Sequence, residues 1–341
     1  MESYNFYDKK LNDPTWVLDE HLLIPETPED ERGADYIPSE GLKQAVNVAL
    51  MLKKPLLLTG DPGTGKSELA YHIARHFGWG KPVYFATRTD STATDLLYRY
   101  DSLAHFHKVN IEKGNCGELT AKDIEGSFIR YVALGQAICD SIGQNKEGLP
   151  RRRVVLIDEI DKAPRDLPND ILSLIETMTV EVSELKTAKD TNESFYRKTG
   201  NPMLKPVVIL TSNSEKTLPE AFLRRCLFFN IERPDEQQLQ RILLSKREIQ
   251  PGLEQSEALR FIKLFNSIAA LVRGKKPATH ELILWVWWMR KHGLGCEAIS
   301  NFGETSPDAG VILSGISILA KSADDWKTVA DAISSKRLAT G

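Results

Sequence analysis

The sequence predicts an α/β protein in which helices cover both faces of a parallel sheet, followed by an all-helical domain. Three observations predict it. Short apolar runs recur through the first two-thirds of the chain, and helical patterns separate most of them. A glycine-rich loop joins the first run to a helix. After Arg233-Pro234 the strand signal stops and amphipathic helices follow one another.

The elements follow in order. Residues 1–35 are acidic, contain Pro14, Pro25 and Pro28, and read as an irregular N-terminal strap. Ser39 caps a helix with Leu42, Val46, Ala49 and Leu50 on one face. Pro55 to Thr59 is a buried strand. The loop Gly60 to Gly65 leads into a helix from Lys66, with Leu69, Ile73 and Phe77 inward and Gly78 as its stop. Val83 to Thr87, Arg153 to Ile157, Val207 to Thr211 and Leu227 to Ile231 are four further strands. Together these make an α/β core over 36–233.

Residues 234–341 form the helical domain. Asp235 caps its first helix, which carries Leu239, Ile242 and Leu243. Ser256 opens a second, with a stripe from Ala258 through Phe261, Phe265 and Ile268 to Val272. Thr279 to Lys291 and Gly310 to Lys321 follow, and Ser322 to Asp325 resembles a capping box opening a fifth. Trp285, Trp287 and Trp288 crowd one helix, and their spacing lets two of them face a core but not all three.

Composition narrows the function classes. The chain has 341 residues, with 41% hydrophobic and 27% charged, which is ordinary globular composition. A net charge of −3 shows no global bias toward nucleic acid or anionic membranes. No apolar run approaches the roughly 20 residues of a membrane helix, and Met1 to Lys10 lacks an apolar signal core. Cys116, Cys139, Cys226 and Cys296 have no metal-ligand spacing. Reduced thiols and a cytoplasmic location are the expectation. The run Arg151-Arg152-Arg153 reads as solvated.

The chemistry concentrates in two segments. Gly60-Asp61-Pro62-Gly63-Thr64-Gly65-Lys66-Ser67 fits the P-loop pattern, between a strand and a helix as that pattern requires. Its glycines let backbone N–H groups face phosphate oxygens, and the helix N-terminus adds partial positive charge. Lys66 would reach the β- and γ-phosphates of ATP, and Ser67 would ligate Mg²⁺. The strand Val154 to Ile157 ends in Asp158-Glu159 at the same sheet edge. Asp158 would hold the Mg²⁺ shell and Glu159 would polarise the attacking water.

Other candidates are single positions. Asn213, ending Thr211-Ser212-Asn213, would hold the lytic water, contact the γ-phosphate or be a turn residue. Arg224 and Arg225 precede the last strand and could reach a neighbouring subunit's nucleotide or stay solvated. Lys275 and Lys276 precede Pro277, where a lysine could touch phosphate, and Tyr36 and Ile37 could flank the adenine.

On these motifs residues 36–340 resemble an AAA+ ATPase, and within that class the MoxR group. The resemblance implies a P-loop parallel-sheet AAA+ core with helices on both faces plus a C-terminal α-helical lid domain. Gly60–Ser67, with Leu69 in the following turn, and Asp158-Glu159 match the two Walker motifs. Asn213 matches the sensor 1 position. Leu223-Arg224-Arg225-Cys226 matches the finger region, with Arg225 the better candidate because it abuts the strand. Phe128 to Ala137 departs from the family in having Val132-Ala133 where Gly-Pro is usual. The lid lacks the arginine that often follows proline, because Ala278 follows Pro277; Lys276 is the candidate substitute. The clade's insertions would fall in Arg88 to His107, with Leu96, Leu97 and Tyr98 packing beside the core, and in a hairpin with arms at Val180-Glu181-Val182 and Phe195-Tyr196.

The family implies a hexameric ring that remodels or chaperones a protein client, often with a partner bearing a von Willebrand factor A domain. Three readings stay open. The first is that remodelling machine. The second is a nucleic-acid motor or loader of the same fold, which the balanced charge opposes, although Arg88, Arg99, Lys108 and Lys113 lie near an insertion. The third is an ATP-dependent regulatory switch, which Glu159 opposes because a pure switch needs no base.

Overall fold

The computed structural model describes residues 31–111, 119–186, 188, 190–213, 218–247, 249, 252–303 and 305–336. Most of the N-terminal strap, with Lys113 and Cys116, lies outside the described residues. The chain divides into two compact units. One is Pro38–Gly60 with Gly65–Ile231; the other is built on Glu232–Gly341, with Asp61–Thr64 and the stretch up to Ile37.

The first unit opens with α1 (Glu40–Leu52), where the Ser39 side chain accepts from the Leu42 amide at 3.3 Å and Leu42, Val46 and Ala49 are buried. Then come β1 (Leu56–Gly60), α2 (Lys66–His76), β2 (Val83–Ala86), β3 (Tyr98–Tyr100), α3 (Ser102–Ile111), α4 (Ala121–Phe128), β4 (Ile129–Tyr131) and α5 (Ala133–Ser141). After β5 (Val154–Asp158) follow α6 (Leu167–Thr177), β6 (Thr179–Glu181), the single turn α7 (Glu193–Tyr196), β7 (Arg197–Thr199) and β8 (Val207–Thr211). The short α8 (Glu220–Leu223) and β9 (Leu227–Ile231) close the unit.

Five strands form one sheet in the order β2-β5-β8-β1-β9, and every neighbouring pair is parallel. All five are the apolar runs read from the sequence. Leu56, Leu57 and Leu58 of β1 and the four aliphatic residues of β5 are fully buried, as a sheet covered on both faces requires. Ile157 stands opposite Leu210, so the next residues in register, Asp158 and Thr211, end neighbouring strands side by side.

Two small antiparallel ribbons supplement the sheet. In β3–β4, Tyr98 pairs with Tyr131, and Leu96, Leu97 and Tyr98 are buried, as expected for the first insertion. In β6–β7 the register is Thr179 with Thr199 through Glu181 with Arg197. The expected second arm, Phe195-Tyr196, instead lies in α7. Asn192 explains the shift: its side chain accepts from the Ser194 amide at 3.0 Å and starts a helical turn two residues before the strand.

Two further expectations are corrected. Phe77 is 43% exposed rather than inward, because α2 ends at His76 and Gly78 turns the chain at φ 67°, leaving the ring against Trp79. The arginine run is not uniformly solvated. Arg153 is buried, and its Nε lies 3.0 Å from the buried Asp140 Oδ2, while Arg151 pairs with Glu147 at 3.0 Å. Burial lowers the Arg153 guanidinium from its usual value, and the charge of Asp140 opposes that shift.

The second unit contains α9 (Glu236–Ser245), α10 (Gln255–Leu271), α11 (Thr279–Lys291), the short α12 (Cys296–Ser300), α13 (Ala309–Leu319) and α14 (Ala323–Ser334). Among the described residues it contains no strand. Asp235 and Gln238 form a reciprocal capping box on α9. Trp285 is buried edge-on to Phe261 at 5.6 Å, while Trp287 and Trp288 are half-buried and Trp288 Nε1 donates to Val311 O at 3.0 Å. Asp325 on α14 accepts from the amides of Arg273 at 2.8 Å and Gly274 at 3.3 Å, and from Ser322 Oγ at 2.8 Å. The Arg273 amide and the Ser322 hydroxyl hold its carboxyl below the usual range.

Among the described residues, no helix is long and apolar enough to cross a membrane. Cys139, Cys226 and Cys296 are buried free thiols, each pushed by burial to about 12 and therefore poorly reactive.

Candidate functional site

The site is built where β1, β5 and β8 end. Gly60, the last residue of β1, has φ 135°, and a Cβ there would meet Ile231 O of β9 at 2.4 Å. Only glycine lets the chain leave the sheet at this point. Gly65, at φ 87°, precedes α2 and leaves its first amides without a side-chain cap. Such uncapped N–H groups, with the helix dipole behind them, form a ready anion site. Between these glycines the Thr64 hydroxyl donates to Asp61 O at 2.8 Å and closes a turn. Arg233 Nε lies 2.7 Å from Asp61 Oδ2. Asp61, Pro62, Gly63 and Thr64 group with the helical unit.

Lys66 sits in the first turn of α2. Its side chain is buried and its Nζ donates to Gly60 O at 2.7 Å, so the ammonium bridges the two ends of the loop. Ser67, the next residue, donates from Oγ to Asp158 Oδ1 at 2.9 Å. That oxygen also accepts from Thr211 Oγ1 at 2.5 Å, and Asp158 Oδ2 accepts from Tyr84 OH at 3.4 Å. Partial burial and then the Asp158 charge raise the Tyr84 phenol above its usual value and keep it a donor. A serine hydroxyl and a carboxylate in contact are the hard-oxygen donor pair that Mg²⁺ takes beside phosphate oxygens and water. Ser67 and Asp158 therefore fit the group the P-loop pattern implies.

Glu159 follows β5 with φ 55°, a left-handed conformation that is strained for a non-glycine residue. Its amide donates to Thr211 Oγ1 at 2.9 Å. Its carboxylate receives Lys162 Nζ at 2.5 Å across one 3-10 turn, and this bond raises the Lys162 ammonium above its ordinary value. Half-exposed and held by a cation, Glu159 is presented at the edge rather than folded into the core.

The other sequence candidates are placed as follows. Asn213 is exposed, and its amide donates to Asp161 Oδ1 at 3.3 Å. Arg224 and Arg225 are exposed at the turn after α8, which the buried Phe222 anchors; Arg224 lies 3.7 Å from Glu220. The Leu69 side chain belongs to the core. Tyr36 is half-buried, Ile37 is exposed, and Lys276 is exposed just before α11. Thus Lys66, Ser67, Asp158 and Glu159 come together, and Asn213 lies beside Asp161 on the loop that follows Glu159.

Sequence reasoning passed over Thr211, Tyr84, Lys162 and Arg233. Thr211 had a legible signal, a polar residue ending an otherwise apolar strand. The remaining three are visible only once strand order and loop path are known.

Residues 55–226, half of the chain, match the family model described as AAA domain (dynein-related subfamily). No curated protein matches the chain. Among solved structures, a point variant of Thermotoga maritima RuvB is similar at a TM-score of 0.42 and 13% identity, over 90% of this chain and 72% of that one.

Proposed function

The chain belongs to the AAA domain family, dynein-related subfamily, and from that premise we propose that it hydrolyses ATP to remodel a protein client. The observation carrying this reading is the contact of Ser67 with Asp158, one residue from Lys66 on one side and from Glu159 on the other.

Each residue has an assigned role. Lys66 and the uncapped amides of α2 hold the β- and γ-phosphates. Ser67 and Asp158 hold Mg²⁺, which supplies positive charge against the phosphate oxygens. Thr211 orients Asp158 and pins the Glu159 amide. Glu159 orients and deprotonates the attacking water, with Asn213 as a second contact to it. Arg225, or Arg224 beside it, serves as a finger toward the nucleotide of a neighbouring copy.

The finer assignment is a MoxR-like machine, with 36–233 as motor core and 234–341 as lid. It works as an oligomer, a hexameric ring in the form the resemblance implies, with a von Willebrand factor A partner. Strand β3, inside the stretch expected to hold the first insertion, and the ribbon β6–β7, in the stretch expected to hold the hairpin, support this reading.

The test is ATP hydrolysis measured with molar mass by light scattering, for wild type and Glu159→Gln. The expected result is ATP-driven assembly in both, with turnover only in wild type. Undiminished hydrolysis by Glu159→Gln would remove the base from Glu159. A monomer that binds ATP and releases no phosphate would replace the machine with a switch.

A further inference from the structure

Glu159 stands among like charges. Asp158, Glu159 and Asp161 place three carboxylates within four residues. A glutamate side chain without support there is repelled by its neighbours and turns among several rotamers. Lys162 supplies the support. Its Nζ donates to Glu159 Oε2 at 2.5 Å, and the charges of Asp161 and Asp158 act on the same ammonium more weakly. Among the described residues, neither side chain has another hydrogen bond or ion pair.

Both ends of this pair stand on pinned backbone. The Glu159 amide is held by Thr211 Oγ1 at 2.9 Å, and its φ of 55° fixes how the side chain leaves the chain. The Lys162 amide donates to Glu159 O at 2.9 Å, and the Ala163 amide to Ile160 O at 3.1 Å, closing the 3-10 turn Ile160–Lys162. Buried Ile160 anchors that turn. Residues three apart meet across such a turn. A surface pair of long side chains loses much of its Coulomb gain to the entropy of holding them together. Here the backbone has already brought them side by side.

The contact takes one carboxylate oxygen and leaves the other. Glu159 Oε1 has no partner among the described residues. A carboxylate tethered at one oxygen and open at the other is oriented and still able to accept from a water. Building on the assignment of Glu159 to the attacking water, we propose that Lys162 is a positioning residue, whose ammonium holds the Glu159 carboxylate in the pose that receives that water. Its action runs through Glu159 alone.

The test is single-turnover hydrolysis of fully bound ATP with Mg²⁺ on the full chain, run beside equilibrium ATP binding and thermal melting. The proteins are wild type, Lys162→Met, Lys162→Arg, Glu159→Gln and the double variant Lys162→Met with Glu159→Gln. Lys162→Met should lower the rate about two- to fivefold, the size an exposed ion pair commands, with ATP affinity and melting temperature unchanged. Lys162→Arg keeps charge and reach and should restore most of the rate. Raising salt from about 50 mM to about 500 mM screens an exposed pair, so wild type should slow toward Lys162→Met. Glu159→Gln should stop hydrolysis, and adding Lys162→Met to it should change nothing further. A Lys162→Met enzyme as fast as wild type would overturn the positioning role. A faster one would make Lys162 a brake on Glu159 instead. A matching loss of rate, ATP affinity and melting temperature would reduce it to a folding residue. Full hydrolysis by Glu159→Gln, or none by wild type, would remove the water-activating role of Glu159 itself. That failure shows without any Lys162 variant, and the positioning role falls with it.

Discussion

Thr211 Oγ1 stands 2.5 Å from Asp158 Oδ1, joining the ends of two neighbouring strands through one hydroxyl. The same oxygen accepts the Glu159 amide at 2.9 Å. One residue of β8 thus sets both the carboxylate assigned to Mg²⁺ and the backbone of the residue assigned to water.

Thr211→Val keeps shape and removes both bonds. It leaves a strained, half-buried amide unpaired and lets Asp158 turn, a cost of about 1–3 kcal/mol. The expected outcome is kcat lowered about tenfold or more with ATP affinity changed little. Comparing single-turnover hydrolysis with equilibrium ATP binding checks it, and an equal loss in both would make Thr211 a folding residue only.

Gly60→Ala tests the exit from the sheet. The added methyl would meet Ile231 O at 2.4 Å in a backbone conformation hostile to side chains. The expected destabilisation is about 3 kcal/mol or more, with loss of nucleotide binding. Chemical denaturation and ATP titration of the variant give both numbers.

Asp140→Ala leaves Arg153 buried without its partner. Breaking a buried pair from one side costs about 3–5 kcal/mol. Replacing both, as in Asp140→Ala with Arg153→Leu, should recover much of that loss. Urea denaturation of the single and double variants checks the sign of the difference.

Asp325→Asn probes the helical unit by pH. Backbone and hydroxyl donors lower the folded carboxyl below 3.8, its ordinary value. Its stabilising contribution is therefore complete above that value and is lost as pH falls through the lower folded pKa. Wild type should melt above the variant at neutral pH, and the gap should narrow below pH 3.8. A gap constant with pH would mean the carboxylate charge is not used.

The strands were legible because buried parallel strands are continuous apolar runs, and Leu56 to Leu58 or Val207 to Leu210 resemble nothing else in the chain. Caps at Ser39, Asp235 and Ser322 were legible because their donors and acceptors are local. The phosphate loop and the Asp158-Glu159 pair were legible for the same reason, since each is one contiguous segment. The role of Thr211 was not, because it depends on which strand lies beside β5 and in what register. Arg153 was misread because its partner Asp140 lies on a different element, α5. Phe195 and Tyr196 read as strand because aromatic residues favour strands, and the Asn192 cap prevailed.

If Glu159 activates water as proposed, its left-handed backbone sets thermal robustness against turnover at a single position. Glycine there would relieve strain of order 1–3 kcal/mol and delete the carboxylate. Laboratory evolution scored only on heat tolerance would drift toward glycine at 159 and accumulate durable, idle protein. A lineage that keeps glutamate accepts a permanently lower melting point as the condition of having an engine.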